Sequence, residues 1–301
     1  MSTTVAIAGV TGSLGRLIAE YLLAKPDVLI HGLCRTPSKL PPSLRDEPRL
    51  TVYAAASSTD IPVIQAALHD VDVVICCYLG PTSLMVEGQK ILIDVCIAER
   101  VPRYVAGDWS MDFRKLELGQ HPAKDPMKLV QAYLEEKEAA GQIKSQRPWV
   151  GMWDADRQLF KYWGTGDERW EFTTYRNAAQ FTAEVAVDKD ATGWFSFRGD
   201  HVNIKEIAAT FQAVYDEEPG LERLGSLEDL YTLMHDKRRQ HVGNPKAWLG
   251  LFYTYYSLNG QTALPMPLDN MRYPTVKLTT VRDFFARTPK DRIGKFGVLQ
   301  E

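Results

Sequence analysis

The sequence is poor in cysteine and lacks the residue spacings that mark metal sites. Four cysteines occur in 301 residues, and none stands in a CxxC or Cys/His spacing. Three of the four lie inside apolar runs, which predicts reduced thiols in a cytosolic protein rather than a disulfide framework. His121 and the three histidines after it show no HExxH pattern. We therefore predict no bound metal and interpret these histidines as surface or locally hydrogen-bonded residues.

An excess of basic residues and a long apolar run are also lacking. Lys plus Arg number 35 against 38 for Asp plus Glu, so the formal net charge is -3 and nucleic-acid binding by bulk charge is excluded. No apolar run reaches the ~18–20 residues that cross a bilayer. Residues 1–15 contain neither the cationic region nor the cleavage site of a signal peptide. We expect a cytoplasmic protein that binds neither nucleic acid nor membrane, either a monomer or a dimer.

The sequence does contain the alternating strand and helix patterns of an α/β protein. The first 105 residues alternate short β-rich runs with helical patterns, which is typical of βαβ units and a parallel sheet. The run VDVVICCY at 71–78 is apolar almost throughout, as expected for a strand that is buried on both faces. The predicted strands are Val5–Gly9, Val28–Cys34, Leu50–Ala54, Val71–Tyr78 and Arg103–Val105, and the predicted helices are 14–23 and 83–100.

Beyond residue 106 the pattern is less regular. We predict a helix over 125–140, a strand over 149–153 and a loop over 161–169. A strand over 194–198 and a helix over 204–215 follow. From about residue 221 onward the sequence predicts helices and loops without the strand rhythm.

The strongest motif is glycine-rich and follows the first predicted strand. Residues 5–15 read VAIAGVTGSLG, which places Gly9, Gly12 and Gly15 between a strand and a helix. A turn without Cβ atoms lets backbone N–H groups approach a pyrophosphate, and the helix N-terminus favours negative charge. This spacing predicts a dinucleotide-binding Rossmann unit. Its predicted cofactor contacts are Gly9, Thr11, Gly12, Ser13, Leu14 and Gly15.

A carboxylate is missing where an NAD-binding protein would have one. Such proteins use an Asp or Glu after the second strand to hold the ribose 2′-hydroxyl. Here Arg35 takes that place, and no carboxylate occurs between Asp27 and Asp46. Arg35 and Lys39 suit a 2′-phosphate, so the sequence predicts NADP (NADPH). The nicotinamide is expected at the ends of the fourth and fifth strands, near Tyr78, Leu79 and Gly107.

These motifs resemble the NmrA-like and isoflavone-reductase-like branch of the atypical short-chain dehydrogenase/reductases, and the pattern is closest to fungal members. The resemblance is carried by GVTGSLGR, RYVAGDWSMDF (103–113), YWGTGDERWEFTTY (162–175), residues 181–208 and YPTVKLTTVRDFF (273–285). It implies an α/β fold in which a doubly wound NAD(P)-binding Rossmann domain carries a smaller, discontinuous C-terminal α/β substrate domain. We expect the Rossmann domain at 1–153 and 171–201 and the substrate domain at 154–170 and 202–301, with the substrate site between them.

The resemblance also implies a catalytic lysine on the helix after the fifth strand. If Val130 and Leu134 are its core residues, the family lysine falls on Met127 in this chain. Lys128 lies one residue later, about 100° around the helix, and Lys124 lies three residues earlier. We rank Lys128 first and Lys124 second.

Other residues remain candidates for the chemistry. Tyr133 and Lys137 have the Tyr-x-x-x-Lys spacing of ordinary short-chain dehydrogenases, in which the lysine lowers the pKa of the tyrosine. Asp108 matches the family's acidic residue after the fifth strand and could act in acid–base chemistry or orient a lysine or substrate. The predicted substrate wall consists of Trp109, Met152 and Trp153.

The resemblance implies an NADPH-dependent oxidoreductase that reduces a small aromatic or polyketide-like substrate of secondary metabolism. Two alternatives stay open. A redox sensor that binds NADP(H) without catalysis is favoured by Met127 and opposed by the aromatic C-terminal third, including Trp248 and Phe252. A redox-neutral isomerase or dehydratase could use the same fold.

Overall fold

The computed structural model describes residues 2–149 and 159–293. Met152 and Trp153 of the predicted substrate wall lie outside these residues. Residues 150–153 of the predicted strand 149–153 also lie outside them. The described chain divides into two compact units. The first unit consists of residues 2–109, 126–149 and 178–195, and the second of 110–125, 159–177 and 196–293. Within the described ranges, no helix combines the length and the apolar character needed to cross a membrane.

The first unit is built on a seven-stranded sheet. Its strands are β1 (Thr3–Ala8), β2 (Val28–Cys34), β3 (Leu50–Ala54), β4 (Val73–Cys76), β5 (Arg103–Val105), β6 (Lys144–Trp149) and β9 (Gly193–Ser196). Their order is β3-β2-β1-β4-β5-β6-β9, and the pairings from β3 through to β6 are all parallel. The predicted doubly wound Rossmann fold is confirmed.

Helices connect the strands of this sheet. They are α1 (Ser13–Leu23), α2 (Pro42–Arg45), α3 (Ile61–Leu68), α4 (Gln89–Ala98), α5 (Asp125–Ala139) and α6 (Tyr175–Val187). A π-helical turn, Leu84–Gly88, runs directly into α4. Every residue of β4 is buried, and Val5 and Ile7 of β1 have no exposed surface. Burial of both faces explains why the central strands read as apolar runs in the sequence.

The second unit has short strand pairs and its own core. Its elements are β7 (Leu159–Trp163), β8 (Arg169–Phe172), β10 (Asp200–Asn203), α7 (Ile204–Tyr215), β11 (Gly220–Gly225), α8 (Leu227–Gln240), α9 (Leu249–Leu258) and α10 (Val281–Arg287). Strand β7 pairs with β11 in parallel, and β8 pairs with β10 in antiparallel orientation. Ile207 and Phe211 of α7 pack with Phe285 of α10 in a buried cluster. Capping boxes fix the starts of α7, α8 and α10, because each N-cap side chain accepts a bond from the third helical amide.

Several strands were not anticipated in their places. β6 begins at Lys144, five residues before the predicted strand, and its buried polar residues Ser145 and Gln146 hide it from an apolar pattern. β7 and β8 occupy parts of the predicted loop 161–169. β11 lies where only helices and loops were predicted, and five of its six residues are exposed. Pairing with a partner strand determines the extended conformation of these segments, so their own sequences carry little strand signal.

The compact units differ from the expected domain boundaries. Residues 110–125, placed by the sequence in the Rossmann domain, group with the second unit. One physical reason is a link to the loop after α9, where the Nε2 atom of Gln261 donates to the backbone oxygen of Lys115 and to the side chain of Gln120.

Candidate functional site

The glycine-rich segment forms a tight turn between β1 and α1. Gly9 has a φ of +92°, and a Cβ atom there would lie 2.8 Å from the carbonyl oxygen of Cys77. A Cβ atom on Gly15 would lie 2.5 Å from the carbonyl oxygen of Gly9. The turn therefore excludes side chains at both positions, and a backbone without Cβ atoms allows a ligand to approach closely.

The N-terminus of α1 is left without a neutralising side chain. Gly12 is the N-cap residue in an extended conformation, no side chain caps the helix, and its first turn contains no acidic residue. Thr11, Ser13 and Leu14 line this end and are each half-buried. The first amides and the helix dipole suit a phosphate here.

This turn lies at the point where the strand order reverses. Strands β2 and β3 extend to one side of β1, and β4, β5 and β6 extend to the other. In open α/β sheets, a dinucleotide binds outside the carboxyl ends of the strands at this crevice. The predicted pyrophosphate contacts are therefore at the expected edge of the sheet.

Arg35 directly follows β2 and is exposed, as is Lys39 at the end of the short turn Pro37–Lys39. Among the described residues, neither side chain has an ion-pair partner, whereas the nearby Arg45 pairs with Asp46. Two uncommitted cations at the end of β2 are suited to an anionic group on the adenosine half of a dinucleotide.

The ends of β4 and β5 hold the other predicted cofactor residues. Tyr78 is half-buried, and burial raises the pKa of its hydroxyl. Leu79 is 90% exposed, which is unusual for a large apolar side chain at a sheet edge and offers an apolar contact for a ring. Gly107 is buried two residues after β5, where its N–H donates to the side chain of Gln89.

Asp108 and Trp109 follow Gly107 and have different surroundings. Asp108 is buried, and its backbone N–H donates to the carbonyl oxygen of Ala106 at 2.9 Å. The indole N–H of Trp109 donates to the hydroxyl of Thr182 at 2.9 Å, and that hydroxyl donates in turn to the carbonyl oxygen of Ala178. The polar atom of Trp109 is thus used within the first unit, and its place in the substrate wall stays a prediction.

Tyr133 is not arranged as an activated tyrosine. Its hydroxyl donates to Asp94, and the Nζ atom of Lys137 lies 4.8 Å from the centre of its ring rather than beside its oxygen. Burial and the Asp94 carboxylate raise the pKa of Tyr133. A Tyr-x-x-x-Lys pair acts by lowering that pKa, so the observed geometry does not favour Tyr133 as the proton donor.

The two candidate lysines differ in burial. Lys128 is half-buried on α5, while Lys124 precedes that helix and is 1% exposed. The Nζ atom of Lys124 donates to the hydroxyl of half-buried Ser110 and lies 5.8 Å from the centre of the Tyr253 ring. The sequence pattern did not distinguish this buried lysine, which is hydrogen-bonded to Ser110, from a surface lysine.

His121 was wrongly interpreted from the sequence. It has no exposed surface, and its ring contacts Tyr253, Phe252 and Tyr256, with centroids 4.6, 6.0 and 5.5 Å away. Neither ring nitrogen has a hydrogen-bond partner among the described residues. Burial, reinforced by the charge of Lys124, lowers the pKa of His121 to about 3. The aromatic run of α9 was the only sequence signal for a buried ring partner.

His121 also shapes the turn that presents Lys124. Its carbonyl oxygen accepts bonds from the backbone N–H groups of Lys124 at 2.8 Å and Asp125 at 3.2 Å. The ring packed against α9 therefore holds one end of the turn, and the bond to Ser110 holds the lysine side chain.

The four cysteines are free thiols, as predicted. Burial raises the pKa of Cys76 to about 12, so Cys76 is not an activated nucleophile.

Known proteins share the cofactor-binding domain and the fold of this chain. Residues 9–147 match a family model described as NAD(P)H-binding, which confirms the predicted nicotinamide cofactor domain. No curated protein matches the chain. Among solved structures, AtPrR2 with NADP+ and (+)pinoresinol has a TM-score of 0.76 at 19% identity and covers 95% of this chain and 98% of its own.

Two further reductases are similar over nearly the whole chain. Isoflavone reductase has a TM-score of 0.76 at 16% identity, covering 95% of this chain and 99% of its own. A leucoanthocyanidin reductase–NADPH complex from Vitis vinifera has a TM-score of 0.73 at 16% identity, covering 94% and 98%. At these identities the similarity establishes the fold, and the predicted resemblance to isoflavone-reductase-like proteins is confirmed at that level.

Proposed function

We propose that this chain is an NADPH-dependent reductase of the isoflavone-reductase-like type that acts on a small aromatic molecule. The observation that carries the proposal is the glycine turn at the uncapped start of α1, together with the uncommitted Arg35 and Lys39 at the end of β2. Support for a reductase comes from the shared fold with AtPrR2 and isoflavone reductase.

Different residues of the first unit would bind the adenosine half and the nicotinamide half of the cofactor along the sheet edge. Backbone N–H groups around Gly12 and Ser13 would hold the pyrophosphate. Arg35 and Lys39 would hold the 2′-phosphate by charge-assisted hydrogen bonds, and an NAD-binding carboxylate has no counterpart there. Leu79 would cover the nicotinamide and limit access of water. When bound, NADPH supplies a hydride.

Reduction of a carbonyl or an ether also requires a proton, and we assign its source to Lys124. Its Nζ atom is buried and donates to the Ser110 hydroxyl, which is itself half-buried and better exposed to a substrate oxygen. Ser110 would give its hydroxyl proton to the reduced substrate and take one from Lys124 Nζ. Lys128, half-buried on α5, is the competing candidate, and Asp108 would orient groups nearby rather than transfer the proton.

The test combines cofactor binding with turnover. Calorimetric titration with NADPH and NADH measures cofactor choice, and the near-ultraviolet absorbance of NADPH is then followed with aromatic enones and benzylic ethers. Binding of NADPH with its substrate-dependent oxidation supports the proposal. NADPH binding without oxidation by any substrate favours a redox sensor, while substrate conversion without loss of NADPH favours a redox-neutral enzyme.

A further inference from the structure

The side chain of Gln89 links two segments at the edge of the sheet. Gln89 is the first residue of α4 and is 1% exposed. Its Oε1 atom accepts bonds from the backbone N–H of Gly107 and from the hydroxyl of Tyr104, both at 3.1 Å. Its Nε2 atom donates to the carbonyl oxygen of Met85 at 2.9 Å. One buried amide thus joins the end of β5 to the turn that follows β4.

The partners leave the amide a single orientation. A backbone N–H can only donate and a carbonyl oxygen can only accept, so reversing the Gln89 amide would set like groups against each other at Gly107 and at Met85. A buried polar group that loses its partner costs more than the bond itself contributes. Gln89 therefore fixes the distance between the two segments.

Gly107 is packed tightly against the same link. A Cβ atom on Gly107 would lie 3.0 Å from the carbonyl oxygen of Cys76 and 3.3 Å from the Oε1 atom of Gln89. The backbone after β5 is therefore held between the last residue of β4 and the Gln89 amide. Asp108 and Trp109 continue directly from this point.

The other end of the link is an irregular turn. Met85 belongs to the π-helical turn Leu84–Gly88, which precedes α4. Single π-helical turns within helices are frequent at functional sites because they displace side chains from the regular helical path. Here the extra residue brings Gln89 to the start of the regular helix, where its side chain reaches both Met85 and Gly107.

We infer that Gln89 is a positioning residue for the nicotinamide half of the cofactor. The glycine turn and Arg35 assign the adenosine half to β1 and β2, and the rest of a dinucleotide continues past the switch point to the carboxyl ends of β4 and β5. Gln89 joins the segment that follows β5 to the turn at 84–88, which leads from β4 into α4. The inference rests on the proposed binding of NADPH. Gln89 acts through Gly107 and the turn at 84–88, without contact with the cofactor.

Two ligands separate this role from a general loss of structure. Adenosine 2′,5′-bisphosphate contains only the half assigned to Arg35 and lacks the nicotinamide half. For Gln89→Leu, we expect NADPH to bind about tenfold more weakly, and adenosine 2′,5′-bisphosphate to bind as in the wild type. Gln89→Asn keeps an amide but shortens its reach, so it should show the same selective loss with less disturbance of the core. Calorimetry with both ligands and thermal melting give the three readouts.

Gln65→Leu is the matched control, because Gln65 is an exposed glutamine on α3. It should bind both ligands normally. Wild-type NADPH affinity in Gln89→Leu and Gln89→Asn would overturn the inference, as would an equal loss of both ligands with a lowered melting temperature. Failure of the wild type to bind either ligand would instead contradict the proposed NADPH binding.

Discussion

Gly9 and Cys77 approach each other so closely that a Cβ atom on Gly9 would lie 2.8 Å from the carbonyl oxygen of Cys77. The contact joins the turn after β1 to the residue that follows β4, across the switch point of the sheet. The glycine turn and the end of β4 are therefore one packed unit, and a change on one side must move the other.

Gly9→Ala should lower both stability and NADPH affinity. The φ of +92° disfavours a side chain, and the Cβ atom would displace the backbone at Cys77. We expect a loss of about 1–3 kcal/mol in the free energy of unfolding and at least a tenfold loss of NADPH affinity, on the order of 1.4 kcal/mol. Denaturant unfolding and calorimetry measure the two effects. Gly243→Ala, at a glycine with nothing within 4 Å of its Cβ position, should change neither quantity.

Arg35→Ala should remove most of the preference for NADPH over NADH. A charge-assisted hydrogen bond contributes about 1.5–3 kcal/mol, which corresponds to a preference of roughly 10- to 150-fold. NADPH affinity should fall by that factor while NADH affinity stays nearly unchanged, and the difference should shrink with added salt because Arg35 is exposed. Arg45→Ala, at an exposed arginine that already pairs with Asp46, is the control. Equal wild-type affinity for both cofactors would contradict a 2′-phosphate site.

The parts of the site that the sequence predicted are local. Gly9 and Gly12 occur within one turn, and Arg35 follows its strand directly, so the chemistry of each is readable from neighbours in the chain. Gln89 and His121 were not predicted as site residues, since their partners are distant: Gly107 lies 18 residues from Gln89, and the rings around His121 belong to α9. Only tertiary packing gives such residues their roles.

The same distinction applies to the fold. β4 reads as a strand because both of its faces are buried, whereas β11 depends on β7 for its conformation and is mostly exposed. The helix α7 was predicted over its observed range, 204–215, because its apolar face and its capping residues are both local signals.

Lys124→Met should lower turnover while leaving NADPH affinity unchanged, because the change removes a proton donor and not a cofactor contact. A general acid contributes about 10²–10⁴-fold, so kcat should fall by at least roughly 100-fold. Ser110→Ala should lower kcat in the same direction. Lys128→Met serves as the matched control and should retain turnover. The reverse result, with Lys128→Met inactive and Lys124→Met active, would move the proton donor to Lys128.

His121 makes the stability of the protein depend on pH. Its folded-state pKa is lowered to about 3 from the usual histidine value of 6.5, so the unfolded chain takes up a proton between these values and the folded chain does not. Stability is therefore fully present above the unfolded pKa and declines as the pH falls below it, by at most about 1.4 kcal/mol per pH unit from this residue.

His121→Phe should remove that decline, since a phenyl ring can pack against Tyr253 and Tyr256 without binding a proton. Urea unfolding at about pH 7 and about pH 5 would show a smaller pH difference in the variant than in the wild type. His69→Phe is the control, because the side chain of His69 is 72% exposed and its ring gains little from folding. The same pH difference in His121→Phe as in the wild type would show that the acid sensitivity comes from other groups. The variant could be less stable than the wild type at both pH values and yet have the same free energy of unfolding at about pH 7 and about pH 5. That result would still support the assignment, since the change in stability with pH, and not the absolute stability, reports the proton.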